Sequence, residues 1–295
     1  MLFSICLCTY KRVHLFDTLE SLAALNKPLG SDIEVVVVDN DELLSGQSII
    51  EKITPEYPYR ITYASEPKKN ISAARNMCLL NATGDWVAFI DDDEVADINW
   101  LNNLYDTAIK YNADAVFGRV VSTFPDNTPA WIIEGGFFDR KERATGTEIS
   151  SGACNCTLVK AKAIDNQLFD LEYGLSGGED ADFFHRLHKK GNKLVYCKEA
   201  FVTEEIEKNR LCIEFLINRR IRIGSSFSKY RYENQSFIKK LPYITKNVFI
   251  LLFESLITLL HYPFGKVRFY RWLLKSADRY GKIKYFYQKK LQELY

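Results

Sequence analysis

Residues 84–94 read Gly-Asp-Trp-Val-Ala-Phe-Ile-Asp-Asp-Asp-Glu, an apolar run that breaks off into four consecutive acids. Residues 86–90 suit a buried strand entered through the turn-forming pair Gly84-Asp85. Along an extended chain, Asp91 and Asp93 would point to one side and Asp92 to the other. Crowded carboxylates raise one another's pKa unless a cation or hydrogen-bond donors satisfy them. Acids at the end of a strand therefore suit a hard divalent ion such as Mg2+ or Mn2+. The same acids could instead form a turn capping the helix expected from residue 98, and the run alone does not separate the two.

The flanking pattern extends the constraint. Residues 2–8 and 33–38 read as buried strands, the second ending at Asp39-Asn40-Asp41, and residues 61–64 as a weaker one. Helical spacing is expected over 13–25, 71–80 and 98–111, and further strands over 115–121, 153–159, 193–196 and 200–203. Strands alternating with helices predict an α/β fold, a mostly parallel central sheet with helices on both faces. In such sheets ligands bind beyond the carboxyl ends of the strands, where Thr9, Asp39 and Asp91 to Asp93 fall. No G-x-G-x-x-G or P-loop pattern occurs, so a nucleotide would be held in another way. Residues 125–151 look irregular. The glycine-rich 174–178 leads into a helix to about residue 190 that begins with Glu179, Asp180 and Asp182, acids that would also suit a helix N-terminus.

Charge is unevenly spread along the chain. The net charge is +1, yet the part from Glu205 onward carries about +12 and the part before it about −11. Seven cysteines form no C-x-x-C pair, which fits free thiols in a reducing cytosol, and the apolar start reads as a first strand, not a signal peptide. The apolar run 248–260 is short for a membrane span and holds Glu254 and Thr258. Its basic and aromatic flanks, Lys239, Lys240, Lys246, Lys266, Arg268, Arg271, Tyr262, Phe264, Phe269, Tyr270 and Trp272, suit a helix lying on an anionic membrane surface. The alternative is a helical pair packing on the α/β domain with a solvated basic face. No nucleic-acid partner is expected.

Taken in order, Cys8-Thr9-Tyr10-Lys11-Arg12, Val38-Asp39-Asn40, Ala74-Arg75-Asn76, Gly84-Asp85 with Asp91-Asp92-Asp93, and Gly178-Glu179-Asp180 resemble the family 2 glycosyltransferases of GT-A fold, most of all the bacterial enzymes of surface-polysaccharide synthesis. The resemblance spans about residues 1–225, followed by a basic, aromatic helical extension over 226–295. It implies an inverting, metal-dependent transfer from a nucleotide-diphosphate sugar, a UDP-sugar by preference, with Mn2+ or Mg2+. The acceptor would be a glycan or polyprenyl-diphosphate-linked hydroxyl at the cytoplasmic face of the plasma membrane. On the family's pattern Thr9, Arg12 and Asp39 surround base and ribose, Arg75 lies near the nucleotide or diphosphate, and Asp93 holds the metal with Asp91 or Asp92 nearer the ribose. Asp180 matches the general base, with Glu179 and Asp182 as neighbours able to orient the acceptor.

Family members often complete the metal site with a histidine after the base helix. The corresponding stretch here is Phe201-Val202-Thr203-Glu204-Glu205, so Glu204 is the substitute oxygen ligand to consider, against a salt bridge. Arg219, Arg220 and Arg222 suit a diphosphate, because guanidinium recognises phosphate bidentately. The competing functions are a nucleotide-sugar-binding assembly subunit without transfer activity and a sugar nucleotidyltransferase, whose glycine-rich N-terminal loop is missing.

Overall fold

β-branched and aromatic residues dominate the first strands, and the sequence alternation assigns each side chain to one face of a sheet. The computed structural model of the chain describes residues 1–288. Its strands are β1 (Leu2–Thr9), β2 (Asp32–Asp39), β3 (Arg60–Ser65), β4 (Trp86–Phe89), β5 (Glu94–Ala96), β6 (Ala115–Thr123), β7 (Thr157–Lys160) and β8 (Leu194–Glu205). Its helices are α1 (Leu15–Ala23), α2 (Gln47–Ile53), α3 (Ile71–Asn81), α4 (Trp100–Tyr111), α5 (Ala130–Gly135), the single turn α6 (Ala161–Ile164), α7 (Glu179–Lys189), α8 (Ile213–Tyr232), α9 (Phe237–His261) and α10 (Lys266–Gln288).

The chain divides into two compact units. The first comprises residues 1–123, 140–175 and 179–205, and the second residues 124–139, 176–178 and 206 onward. The expected change of domain at residue 225 falls inside α8 instead. The composition changes there, but an unbroken helix carries the chain across it.

In the first unit one sheet runs in the order β3-β2-β1-β4-β7-β6-β8-β5. β3, β2, β1 and β4 are mutually parallel, while β7 is antiparallel to both β4 and β6. Phe3, Ile5, Leu7, Val35, Val37, Trp86 and Ala88 share one core with Leu15, Leu19 and Leu22 of α1 and Trp100 and Leu104 of α4. The intervening Cys6, Val36, Val38, Val87 and Phe89 pack on the other face with Ala74 and Cys78 of α3 and Phe183, Phe184 and Leu187 of α7. A sheet covered on both faces explains why these strands read as unbroken apolar runs.

A polar clamp joins β1 and β2 to the entry of β4. Glu34, 3% exposed, accepts hydrogen bonds from Ser4 Oγ at 2.6 Å, Thr83 N at 2.7 Å and Thr83 Oγ1 at 2.9 Å. Gly84 N donates to Ser4 Oγ at 2.8 Å, and a Cβ on Gly84 would come within 2.8 Å of the Leu2 carbonyl. The glycine is therefore required by backbone approach, and it fixes where β4 starts.

The structure departs from the sequence reading at several elements. α5 forms inside the stretch expected to be irregular, α2 forms where no element was expected, and the strands expected over 193–196 and 200–203 merge into the single strand β8, whose pairing with β6 shifts register between Phe117 and Arg119. The run 248–260 is the later half of α9, and residues Phe237–Phe264 are long and apolar enough to cross a membrane by length and composition. In the second unit, α8, α9 and α10 pack together, with Ile132, Phe137 and Phe138 joining Leu216 and Leu274 in a small apolar core.

Candidate functional site

Parallel pairing brings several loops to one edge. Thr9 lies opposite Asp39 and Asp39 opposite Ser65, so β1, β2 and β3 end together, and β4 ends beside β1. Beyond Phe89 the chain leaves the sheet and folds into a turn closed by Glu94 N donating to the Asp91 carbonyl at 3.3 Å. This turn corrects the expected alternation of the acids. Asp91 reaches Arg75 at 3.2 Å, whereas Asp92 and Asp93 both face Arg12, at 3.9 and 3.3 Å. Tyr10 N also donates to Asp92 at 3.4 Å. Burial, reinforced by the charge of Asp93, pushes the Asp92 carboxyl up to about 7.

Arg12, Asp91, Asp92, Asp93 and Thr9 are thus gathered at this edge, as expected. Asp39 is there too, but its carboxylate is occupied. It is fully buried and accepts from Asp41 N at 3.0 Å, Gly46 N at 2.7 Å and Tyr63 OH at 2.7 Å, so it shapes the loop after β2 with most of its acceptor capacity. Asn40 acts similarly. Its amide donates to the carbonyls of Glu66 and Lys68 and accepts from Asn70 N, while the Asn70 side chain caps α3 by accepting from Ala73 N at 3.0 Å.

Arg75 lies beside Asp91 of the same edge and is itself engaged by the protein. It is 8% exposed and joins Asp91 to Glu179, lying over the Phe169 ring. A guanidinium removed from water requires such partners. Glu179 is consequently unavailable to an acceptor. Its carboxyl is 5% exposed and pushed up to about 7 by burial, against the pull of Arg75. Asp182 is bound to Arg186 Nε at 2.8 Å, one turn along α7, and burial raises its carboxyl too.

Asp180 is the exception among these acids. It is half-buried at the start of α7 and, among the described residues, has no ion-pair partner. One of its oxygens accepts from Ala181 N at 2.6 Å.

Glu204 lies opposite Glu94 in the antiparallel pair of β8 and β5, and Arg140 contacts its carboxylate at 3.4 Å. The guanidinium gives Glu204 the salt-bridge role in this arrangement instead of that of a metal ligand. Among the described residues no group of three His, Cys, Asp and Glu side chains is assembled to hold a metal ion. In the second unit, Arg219 lies over the Phe138 ring and Arg222 donates to the Ser176 carbonyl at 3.4 Å, so both have protein contacts where a diphosphate was expected.

Glu94 was missed by sequence reasoning as more than the last of four acids. It is fully buried, accepts from Asp91 N at 3.0 Å, and burial together with the Asp91 charge raises its carboxyl well above the usual range. No sequence signal marked it, because the three-residue strand that it begins is too short to show a pattern.

The model of the family described as "Glycosyl transferase family 2" matches residues 4–168, more than half of the chain and every strand-end loop described above except the start of α7. The chain belongs to glycosyl transferase family 2. It is therefore a glycosyltransferase, and the sheet and its flanking helices are a GT-A fold, as the ordered motifs implied.

Among curated relatives in this family, the chain is 40% identical over 224 residues to the succinoglycan biosynthesis protein ExoM of Rhizobium meliloti, covering 75% of this chain and 72% of that protein. It is 27% identical over 245 residues to the glucosyl-dolichyl phosphate glucuronosyltransferase of Haloferax volcanii, covering 76% and 75%. Among solved structures, residues 1–349 of S. aureus TarS in complex with UDP-GlcNAc align with a TM-score of 0.57 at 16% identity, over 98% of this chain and 93% of that one. Family membership sets aside the nucleotidyltransferase alternative.

Proposed function

We propose that the enzyme moves a sugar, with inversion, from a UDP-sugar to a hydroxyl of a glycan or polyprenyl-diphosphate-linked acceptor in bacterial surface-polysaccharide synthesis. The observation that carries this reading is the division of labour on α7. Glu179 and Asp182 are tied to Arg75 and Arg186, and Asp180 is left as the acid able to receive a proton. The acceptor oxygen bonds to the anomeric carbon as the bond to the diphosphate oxygen breaks, the hydroxyl proton passes to the Asp180 carboxylate, and the nucleoside diphosphate leaves. General-base help of this kind contributes about 10²–10⁴-fold.

The donor half is supported by Arg12 and the acids of the 91–94 turn. Asp92 and Asp93 lie side by side against Arg12, with burial pushing the Asp92 carboxyl up to about 7, and this crowding of acids fits a divalent cation held by Asp93. Such an ion would stabilise charge developing on the departing diphosphate. The nucleotide-sugar reading draws on the UDP-GlcNAc-bound TarS structure, and the polysaccharide setting on the succinoglycan relative. The outward apolar face of α9 and its basic flanks support a location at the cytoplasmic membrane surface.

Transfer from a panel of UDP-sugars, assayed by UDP release with and without Mn2+, tests the proposal. Asp180→Asn lowers turnover by about 10²–10⁴-fold and leaves UDP binding intact. Full turnover by that variant would remove the base, and absence of UDP release with every donor would remove the donor class.

A further inference from the structure

The second unit contains a helix with its amphipathicity reversed. On α9 the inward residues are Asn247, Glu254 and Thr258, each 7% exposed or less, while Phe249, Leu252, Phe253, Leu256 and Leu260 are each more than half exposed. Both sets recur at helical spacing, so the polar stripe faces the protein and the apolar stripe faces outward. Asn247 and Glu254 meet Arg279 of α10, at 3.2 and 3.6 Å. An apolar stripe of this extent, turned away from its own unit, is suited to a non-aqueous neighbour.

Within the same unit is a cavity of about 560 Å³ lined from α5, α8, α9 and α10. Four cations and two acids line it. Arg279 is committed to Glu254, and Asp278 to Lys282 at 2.5 Å. The other three cations, Arg220, Arg271 and Lys275, have no carboxylate partner among the described residues, and Lys275 stacks over Trp272 at 3.8 Å. Phe137 and Leu274 supply an apolar wall. The lining thus has an excess of two positive charges in a recess that also offers apolar contact.

We propose that this cavity binds the phosphate headgroup of an acidic phospholipid while the outward stripe of α9 rests among the acyl chains. Guanidinium and ammonium groups converging on one recess match a phosphodiester, and Phe137 and Leu274 match its glycerol and first methylenes. The apolar stripe determines the choice of a lipid over a soluble phosphate, because the two features belong to one compact unit and a bilayer satisfies both. The inference rests on the membrane reading above and adds to it a defined pocket.

Co-sedimentation of the full chain with vesicles of phosphatidylcholine alone, or of phosphatidylcholine with phosphatidylglycerol, tests it. The cavity variant is Arg271→Gln/Lys275→Gln, two exposed residues whose replacement leaves the core untouched. The control, Lys239→Gln/Lys240→Gln, removes the same charge from the start of α9. Diffuse attraction predicts equal losses, about fivefold per charge, for both variants. A headgroup pocket predicts that the cavity variant loses at least about tenfold more affinity for the phosphatidylglycerol vesicles than the control does. Equal losses would overturn the pocket while leaving the membrane reading standing, whereas no binding of the wild-type chain to either vesicle would remove both. Inorganic phosphate binding as tightly as the vesicles would assign the pocket to a soluble anion and overturn the lipid. Should Leu252→Ser turn a dimer into a monomer without altering vesicle binding, the stripe belongs to a second copy of this chain and the proposal falls.

Discussion

Replacing Glu34 tests the clamp that positions the acidic turn. The carboxylate receives three hydrogen bonds, from Ser4 and Thr83, in a place that is 3% exposed. Burial alone would raise its pKa, but those donors outweigh it and hold the carboxyl below its ordinary value. Each hydrogen bond to a charged group is worth about 1.5–3 kcal/mol, and the three are not additive because Thr83 supplies two of them and Ser4 Oγ keeps its bond from Gly84 N. Glu34→Ala should therefore cost about 3 kcal/mol in urea titrations followed by tryptophan fluorescence, with the slope unchanged.

The pH dependence has a definite sign. A depressed folded pKa means that the stabilisation is fully present above the unfolded value of about 4.3 and is lost as pH falls through the folded one. Glu34→Gln, which cannot titrate, should flatten the acid limb of stability against pH relative to wild type. A loss below about 1 kcal/mol for the alanine variant, or identical acid limbs, would refute the assignment of Glu34 as an ionised clamp.

Two further substitutions probe the same scaffold. Arg75→Met leaves Glu179 buried without its cation and should destabilise by about 3 kcal/mol, whereas Arg75→Met/Glu179→Leu should recover most of that loss; chemical denaturation of both, compared as a double-mutant cycle, decides it. Gly84→Ala places a Cβ 2.7 Å from Ser4 Oγ and should lower stability by about 2 kcal/mol, read as a reduced thermal midpoint.

Strand-end chemistry was legible in the sequence because a buried parallel sheet announces itself by apolar runs that stop at polar residues. β1, β2 and β4, and the convergence of Thr9, Asp39 and Asp91 to Asp93, follow from that alone. What a sequence does not disclose is which acid is already engaged. Asp39, Arg75 and Glu179 look identical in one dimension to free functional groups, and only their neighbours, Gly46 and Tyr63 for the first, Asp91 for the second and Arg75 itself for the third, show that they already have protein partners. β5 was invisible for a different reason. A three-residue strand has no periodicity to read, and it owes its existence to pairing with β8, more than a hundred residues away. In α9 the composition was read correctly as apolar with basic flanks, but the direction its polar stripe faces depends on Arg279, which lies on another helix.

That reversed stripe changes what conservative replacement means for this chain. In most helices of a water-soluble protein, a serine for an exposed leucine is tolerated and a leucine for a buried asparagine is accommodated or even welcome. On α9, Leu252→Ser or Phe253→Gln should largely preserve the packing of the unit, because both side chains are more than half exposed, and should improve behaviour in plain buffer. Asn247→Leu or Glu254→Leu would remove one of the two α9 partners of the half-buried Arg279 guanidinium and loosen α9 from α10. A redesign that ranks positions by hydrophobicity would alter the wrong side of this helix. The practical order is the opposite one, with polar substitutions introduced on the outward stripe first and the inward polar residues left unchanged.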